Sequence, residues 1–229
     1  HSMSKTLNED ASALLPPESL PAMGRLSQRF ADRALEGSFQ AHHAAKTRTM
    51  ARAAILVGVI LFGFFGVLDA VMAPEHREAL WAIRYGLVCP MGIVLLVFSY
   101  SRWGRDRLQV LTGSVVTLAG LGGVAMTTLV NPEVTQTYYL GLILTMLFGF
   151  TVAQMRWRAA NAMAGTIVLA YELVALDSLP TLQLIHNNFY LLAGVIIGLI
   201  ACWQTERFHR REFLQLREID AQRTPLADA

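Results

Sequence analysis

Charge is what this sequence has least of. Only 16% of the residues are Asp, Glu, Lys or Arg, against 54% that are hydrophobic, and a water-soluble domain of this length carries more charge. Cysteine is scarce too. Cys89 and Cys202 both lie inside apolar runs, which excludes a secreted disulfide framework and makes each a small buried hydrophobe. The net charge of +2 points to no nucleic-acid partner. The chain has no CxxC, no glycine loop for phosphate and no nucleophile elbow. His42, His43 and His209 fall outside the apolar runs and His186 at the edge of one, so no facing pair exists for a transmembrane haem. No signal peptide is visible, because the first long apolar run starts about fifty residues in. No catalytic residue, metal site or cofactor is expected within this chain.

What is there is apolar length. A hydrocarbon core of about 30 Å takes roughly 20 apolar residues per helix. That condition is met six times, at about 50–73, 80–100, 108–130, 136–154, 159–178 and 184–205. Backbone groups in lipid bond internally, so only helices or a closed barrel span a membrane, and unbroken runs exclude strands that would alternate. The fold class expected is an all-α integral membrane bundle of six transmembrane helices, with neighbours antiparallel across short breaks.

Basic residues set the orientation. Lys46, Arg48 and Arg52 precede the first helix. Arg102, Arg105 and Arg107 fill the second break, Arg156 and Arg158 the fourth, and Arg207, Arg210, Arg211 and Arg217 follow the sixth helix. The opposite breaks hold only Arg77, beside Glu75 and Glu78. Both termini are therefore expected in the cytoplasm. Trp81, Trp103, Trp157 and Trp203 sit at helix ends, the headgroup level that an indole prefers.

Four regions follow. Residues 1–24 contain a tag remnant (His1 and Ser2 ahead of Met3) and a disordered stretch with Pro16, Pro17 and Pro21. Residues 25–48 carry Leu26, Phe30, Leu35 and Phe39 near a period of four, a cytoplasmic amphipathic helix that either docks on the membrane or a partner helix, or is a solvated extension of the first membrane helix. Residues 49–205 are the membrane domain. Residues 206–229 continue the sixth helix into the cytoplasm, with a break at Thr224-Pro225.

Ionisable groups at membrane depth are costly and face the bundle interior. Asp69, Arg84, Tyr138, Tyr139, Glu172, His186, Asn187 and Asn188 all fall toward the outer ends of their helices. One reading is a neutralising pair of Arg84 with Asp69 or Glu172, with the Asn side chains gluing helices together. The other is a polar cavity open to the outer face or outer leaflet that holds a small ligand or lipid. Pro90 is expected to kink the second helix by freeing the carbonyl of Gly86. Gly194 and Gly198, continued by Cys202, form a small-residue face on the sixth helix, for packing within one bundle or between two copies.

The residues also carry a resemblance. The runs Phe64-Phe65-Gly66-Val67-Leu68-Asp69, Trp81-Ala82-Ile83-Arg84-Tyr85 with Pro90, Tyr138-Tyr139-Leu140-Gly141-Leu142, Ala170-Tyr171-Glu172, Asn187-Asn188-Phe189, Glu206-Arg207 and Arg210-Arg211-Glu212-Phe213-Leu214 follow one another as in the six-helix N-terminal membrane domain of bacterial class III adenylate cyclases, which the chain resembles from about Phe30 to about Arg217. The resemblance implies a homodimer in the bacterial inner membrane that senses a small ligand or lipid, or only anchors and dimerises the enzyme. It implies transmission through Gly194, Gly198, Glu206, Arg207, Arg210, Phe213 and Leu214 to a cytoplasmic cyclase domain that uses ATP and Mg. Similar modules precede diguanylate cyclase or histidine kinase domains, and a small transporter or channel is a further reading. No cyclase residue stands after Leu214, so either the chain is one part of a longer protein, which the tag remnant favours, or the natural protein lacks the enzyme.

Overall fold

A computed structural model describes Phe30 and residues 32–153 and 155–227. The stretch 1–24 and residues 25–29 of the amphipathic segment lie outside the described residues. Among those described the chain is helical without a β-strand, and six helices are long and apolar enough to cross a membrane. These are Ala45–Met72, Pro74–Phe98, Leu108–Thr127, Val134–Thr151, Trp157–Ser178 and Thr181–Arg217, called here the first to sixth spans. The end carrying the turns at 73, 128–131 and 179–180 is called distal, and the other proximal.

Several boundaries differ from the expected ones for physical reasons. The second span begins at Pro74 rather than near 80. Pro74-Glu75-His76 is a 3₁₀ turn with proline at its start, followed by the helix Arg77–Trp81, because a proline at the first helical position gives up only a backbone N–H that would be unpaired anyway. The break at 102–107 is itself a short helix, Arg102–Asp106, whose first turn is capped by the Ser101 hydroxyl accepting from Gly104 N–H. The first span is part of a continuous helix Arg33–Phe64, broken at Phe65 and resumed as Gly66–Met72. The last helix runs unbroken over Thr181–Ala227, 47 residues, and so passes Thr224-Pro225, because a proline near a helix end removes a single backbone bond.

The kink expected at Pro90 takes a specific form. Residues Ala82–Val88 make a π-helical turn directly before it, and Cys89 N–H bonds back to the Arg84 carbonyl, five residues earlier. Pro90 has no N–H to offer and its ring crowds the carbonyl four residues back. The wider turn relieves that crowding, and such turns recur at functional sites.

Three hydrophobic bodies hold the spans. The largest lies among the third to sixth spans and includes Val116, Leu142, Met146, Ile167 and Leu191. A smaller one, Ala51, Ile55, Leu108 and Val115, joins the first span to the third. At the distal end Ala73, Leu80, Met126 and Tyr138 close the second, third and fourth spans over the first turn. Gly198 packs inside the bundle. A Cβ there would overlap the Phe150 ring, while one at Gly194 would lie 3.7 Å from Ile143. Cys202 continues the same face, its thiol donating to the Met155 carbonyl at 2.9 Å. The small-residue face is thus used within this one bundle, against the fourth span and the turn after it.

Candidate functional site

Arg84 is carried by the π-helical turn and points into the bundle, 4% exposed. Its Nε and Nη2 donate to the two carboxylate oxygens of Asp69 at 2.7 and 2.9 Å, a two-pronged pair, and Asp69 is 1% exposed. Charge-assisted pairs of this form are the strong ones. Nη1 donates to the Phe62 carbonyl at 2.6 Å, Nη2 also reaches the Met126 sulfur at 3.6 Å, and the guanidinium lies 4.6 Å from the Phe62 ring. Tyr138 completes the group, its hydroxyl donating to Asp69 Oδ1 at 2.8 Å. One cluster therefore ties the first four spans together.

The first span is open where this happens. Around its break at Phe65, three side chains of the second span donate to carbonyls of the first: Arg84 to Phe62, Tyr85 to Gly63 at 2.6 Å, and the Trp81 indole to Gly66 at 2.9 Å. Backbone carbonyls freed in lipid need such partners. The absence of a side chain at Gly66 is required, since a Cβ there would overlap the Tyr85 ring.

A second cluster lies beside the first. Asn187, fully buried, donates from Nδ2 to the Tyr171 hydroxyl at 2.8 Å and accepts from Gln136 Nε2 at 3.2 Å. The Tyr139 hydroxyl donates to the Asn187 backbone carbonyl, and its ring stands 5.5 Å from that of Tyr171. This group ties the fourth, fifth and sixth spans. Asn188 donates to Glu172 Oε2 at 3.3 Å as a separate, shallower pair. His186 is exposed and makes an edge contact with Tyr190 at 4.9 Å between ring centres.

The eight residues singled out in the sequence thus divide. Arg84 pairs with Asp69 and not with Glu172, which takes Asn188 instead. Asp69, Arg84 and Tyr138 line a cavity of about 450 Å³ between the first and fourth spans, whereas Tyr139, Glu172, His186, Asn187 and Asn188 do not. The cavity is mainly apolar, with its charged groups, Asp69 and Arg84, at the distal end and threonine hydroxyls along its length. Gln136 and Tyr171 are not among the site residues chosen from the sequence, although both stand within three residues of a chosen one. Sequence reading also passed over the cavity wall, which is made mostly of apolar residues, with four threonines, that carry no signal of their own.

At the proximal end the sixth helix is tied back to the bundle. Glu206 accepts from the Trp157 backbone N–H at 2.8 Å, at the start of the fifth span, and pairs with Arg210 at 3.0 Å. Arg210 is fully buried and Phe213 nearly so. Arg207 is exposed and lies over the Trp203 ring at 5.2 Å, and Leu214 is half-buried. Lys46 and Glu212 pair at 2.6 Å, and the His43 and His209 rings stand 5.3 Å apart. Burial holds the His43 imidazole below its ordinary pKa, and the nearby His209 and Arg156 push the same way, with Glu206 opposing.

The whole arrangement is two polar clusters at one end, joined through the fourth span, and a long helix running from the second of them to a polar lock at the other end. A comparison with curated proteins gave no match. The model of the MASE8 family, a family of membrane-associated sensor domains, matches residues 67–220, more than half of the chain.

Proposed function

The chain belongs to the MASE8 family of membrane-associated sensor domains, and on that premise we propose that it senses a ligand in the bilayer through the cavity under Asp69, Arg84 and Tyr138 and reports occupancy along its last helix to a class III adenylate cyclase domain. The observation that carries this reading is the unbroken helix Thr181–Ala227. It starts beside Asn187 and continues far beyond the proximal lock at Glu206 and Arg210. Its 47 residues span about 70 Å, enough to cross the membrane and reach a soluble domain without a relay.

In this reading residues 49–205 are the sensor, residues 206–229 the linker, and residues 25–48 an amphipathic segment at the cytoplasmic face. The protein sits in the bacterial inner membrane with both termini in the cytoplasm, as the placement of Lys and Arg supports. It works as a homodimer, since class III catalytic sites form between two chains. ATP and Mg belong to the cyclase domain. The choice of output rests on the resemblance of Glu206-Arg207 and Arg210 to Leu214 to the cyclase membrane domain.

The input and output are joined mechanically. A ligand shifts a two-state element only by its differential affinity for the two states, so regulation of about 5–150-fold is the expected scale. A chimera with a class III catalytic domain fused after Leu214 tests the reading. Asn187→Ala should lower the regulated response and leave basal dimeric activity in place. A two-residue insertion near Arg210 turns the output face by about 200° and should uncouple it. If insertions of every length leave regulation unchanged, the sixth helix is a tether and the domain a passive dimerising anchor.

A further inference from the structure

The cavity between the first and fourth spans has a chemistry that identifies its occupant. Its volume of about 450 Å³ is within the range of small-molecule sites. Its wall runs from Ala54 to Asp69 along the first span, sixteen residues or about 22 Å of helix. A cleft of this length and volume suits an extended alkyl chain.

The wall offers little polarity along its length. Four threonines are among its residues; Thr112, Thr145 and Thr151 each commit the hydroxyl proton to a carbonyl of their own helix, at 2.9, 2.8 and 2.7 Å, and Thr137 stands next to Tyr138 toward the distal end. Leu61, Leu68, Leu144 and Val152 line it and are also exposed on the outer surface of the bundle. The cleft therefore opens sideways, toward the hydrocarbon, and not along the bundle axis.

The distal end is polar but electrically neutral. Arg84 is engaged by both oxygens of Asp69. An incoming carboxylate or phosphate would meet Asp69 with the one cation already paired, and an ammonium would meet Arg84. A hydroxyl or ester head meets neither penalty. It accepts from the guanidinium or donates to the Tyr138 oxygen or the Asp69 carboxylate, all three of which line the cavity.

We infer that this cavity binds a single-chain, uncharged amphiphile that enters from the bilayer, its chain lying between the first and fourth spans and its hydroxyl or carbonyl head at Tyr138, Asp69 and Arg84. The inference deepens the sensor reading by naming the ligand class of the same site. Its test measures binding alone, so it fails or stands apart from any effect on a cyclase.

The experiment uses the whole chain in phosphatidylcholine nanodiscs and a sixteen-carbon alcohol bearing a diazirine on its chain. Photolabelled peptides are mapped by mass spectrometry, with hexadecanol, palmitate and hexadecyltrimethylammonium as competitors. Saturable label should fall on the first, third and fourth spans, with hexadecanol displacing it at least tenfold better than either charged analogue. Gly141 lines the cavity, and a Cβ there would meet nothing within 4 Å. Gly141→Leu should therefore keep the fold and cut labelling at least tenfold. Tyr138→Phe removes one neutral hydrogen-bonding partner and should weaken binding about fivefold. Label spread evenly over lipid-facing residues such as Ile60 and Ile196 overturns the inference, as does wild-type labelling in a folded Gly141→Leu protein. Better displacement by palmitate or by the ammonium overturns the uncharged head. Should Gly141→Leu not fold, the competition series on the unsubstituted chain decides the matter. Binding as described, with no change in the cyclase chimera, leaves the inference standing and removes the sensor reading.

Discussion

Tyr138 and Tyr139 are consecutive in the chain and serve different clusters, the first donating to Asp69 at 2.8 Å and the second to the backbone carbonyl of Asn187. Successive residues on a helix point about 100° apart, so one helix presents one hydroxyl to the cavity and the next to the sixth span. A small rotation of the fourth span moves both together. That makes the fourth span the shortest mechanical path from the cavity to the long output helix.

Removing either side of the buried pair should be expensive. Arg84 and Asp69 are 4% and 1% exposed, and truncating one partner of a buried pair costs about 3–5 kcal/mol, because the other charge is left uncompensated. Arg84→Ala and Asp69→Ala should each lower thermal stability in detergent clearly. The double variant should lose less than the two single losses added together, since no lone charge remains. Neutral behaviour of both single variants would show that these groups are solvated.

The glycines of the bundle should respond in opposite directions. At Gly198 an added Cβ overlaps the Phe150 ring, and overpacking costs about 1–3 kcal/mol. Gly198→Val should destabilise, and Phe150→Leu in the same chain should recover part of the loss. At Gly141 there is open space, and replacing a helical glycine by Ala gains up to about 1 kcal/mol. Gly141→Ala should be neutral or stabilising in the same unfolding assay.

Acid should weaken the proximal end through His43. Burial lowers its pKa below 6.5, with His209 and Arg156 acting in the same sense and Glu206 against them. Below 6.5 the unfolded chain binds a proton that the folded chain resists, so folding stability rises with pH there. The His43 contribution is complete above the ordinary value and is lost as pH falls from 6.5 toward the folded one. Melting curves between pH 7.5 and 5.5 should show a decline that His43→Gln flattens; an unchanged slope would assign the decline to other groups.

Orientation has a direct check. Reporter fusions at residue 133 should behave as external and fusions at the C-terminus as cytoplasmic, because the basic clusters Lys46 to Arg52, Arg102 to Arg107, Arg156 to Arg158 and Arg207 to Arg217 all fall on the proximal side. An external C-terminus would reverse the proposed direction of signalling.

Much of the architecture was written in the sequence, and the reason is the bilayer. A requirement for some 20 apolar residues per crossing makes runs such as 108–130 and 159–178 readable without tertiary information. The span ends were less readable, since Pro74 and Arg102 sit in short polar stretches that fold as helical turns rather than loops. The pairing of Arg84 was legible as a choice between two acids, because charge inside a membrane must be met. Which acid it takes depends on the break at Phe65 and the π-turn before Pro90, and these set rotation about the helix axis to a degree that spacing alone does not fix. The division of Tyr138 from Tyr139, and the cavity with its mainly apolar wall, arise only when the spans are brought together.

The most direct test of coupling is a distance measurement across the proximal end. With Cys89 and Cys202 replaced by Ala, spin labels are placed at exposed Arg102 and Leu216, and their separation is measured by pulsed electron resonance in nanodiscs, with and without Gly141→Leu as a covalent filling of the cavity. If cavity occupancy moves the sixth helix, the distance distribution shifts by several ångströms or changes in population, and Tyr139→Phe reduces that change. Superimposable distributions in a folded, cavity-filled protein would contradict the account, leaving the long helix as a tether that carries no signal.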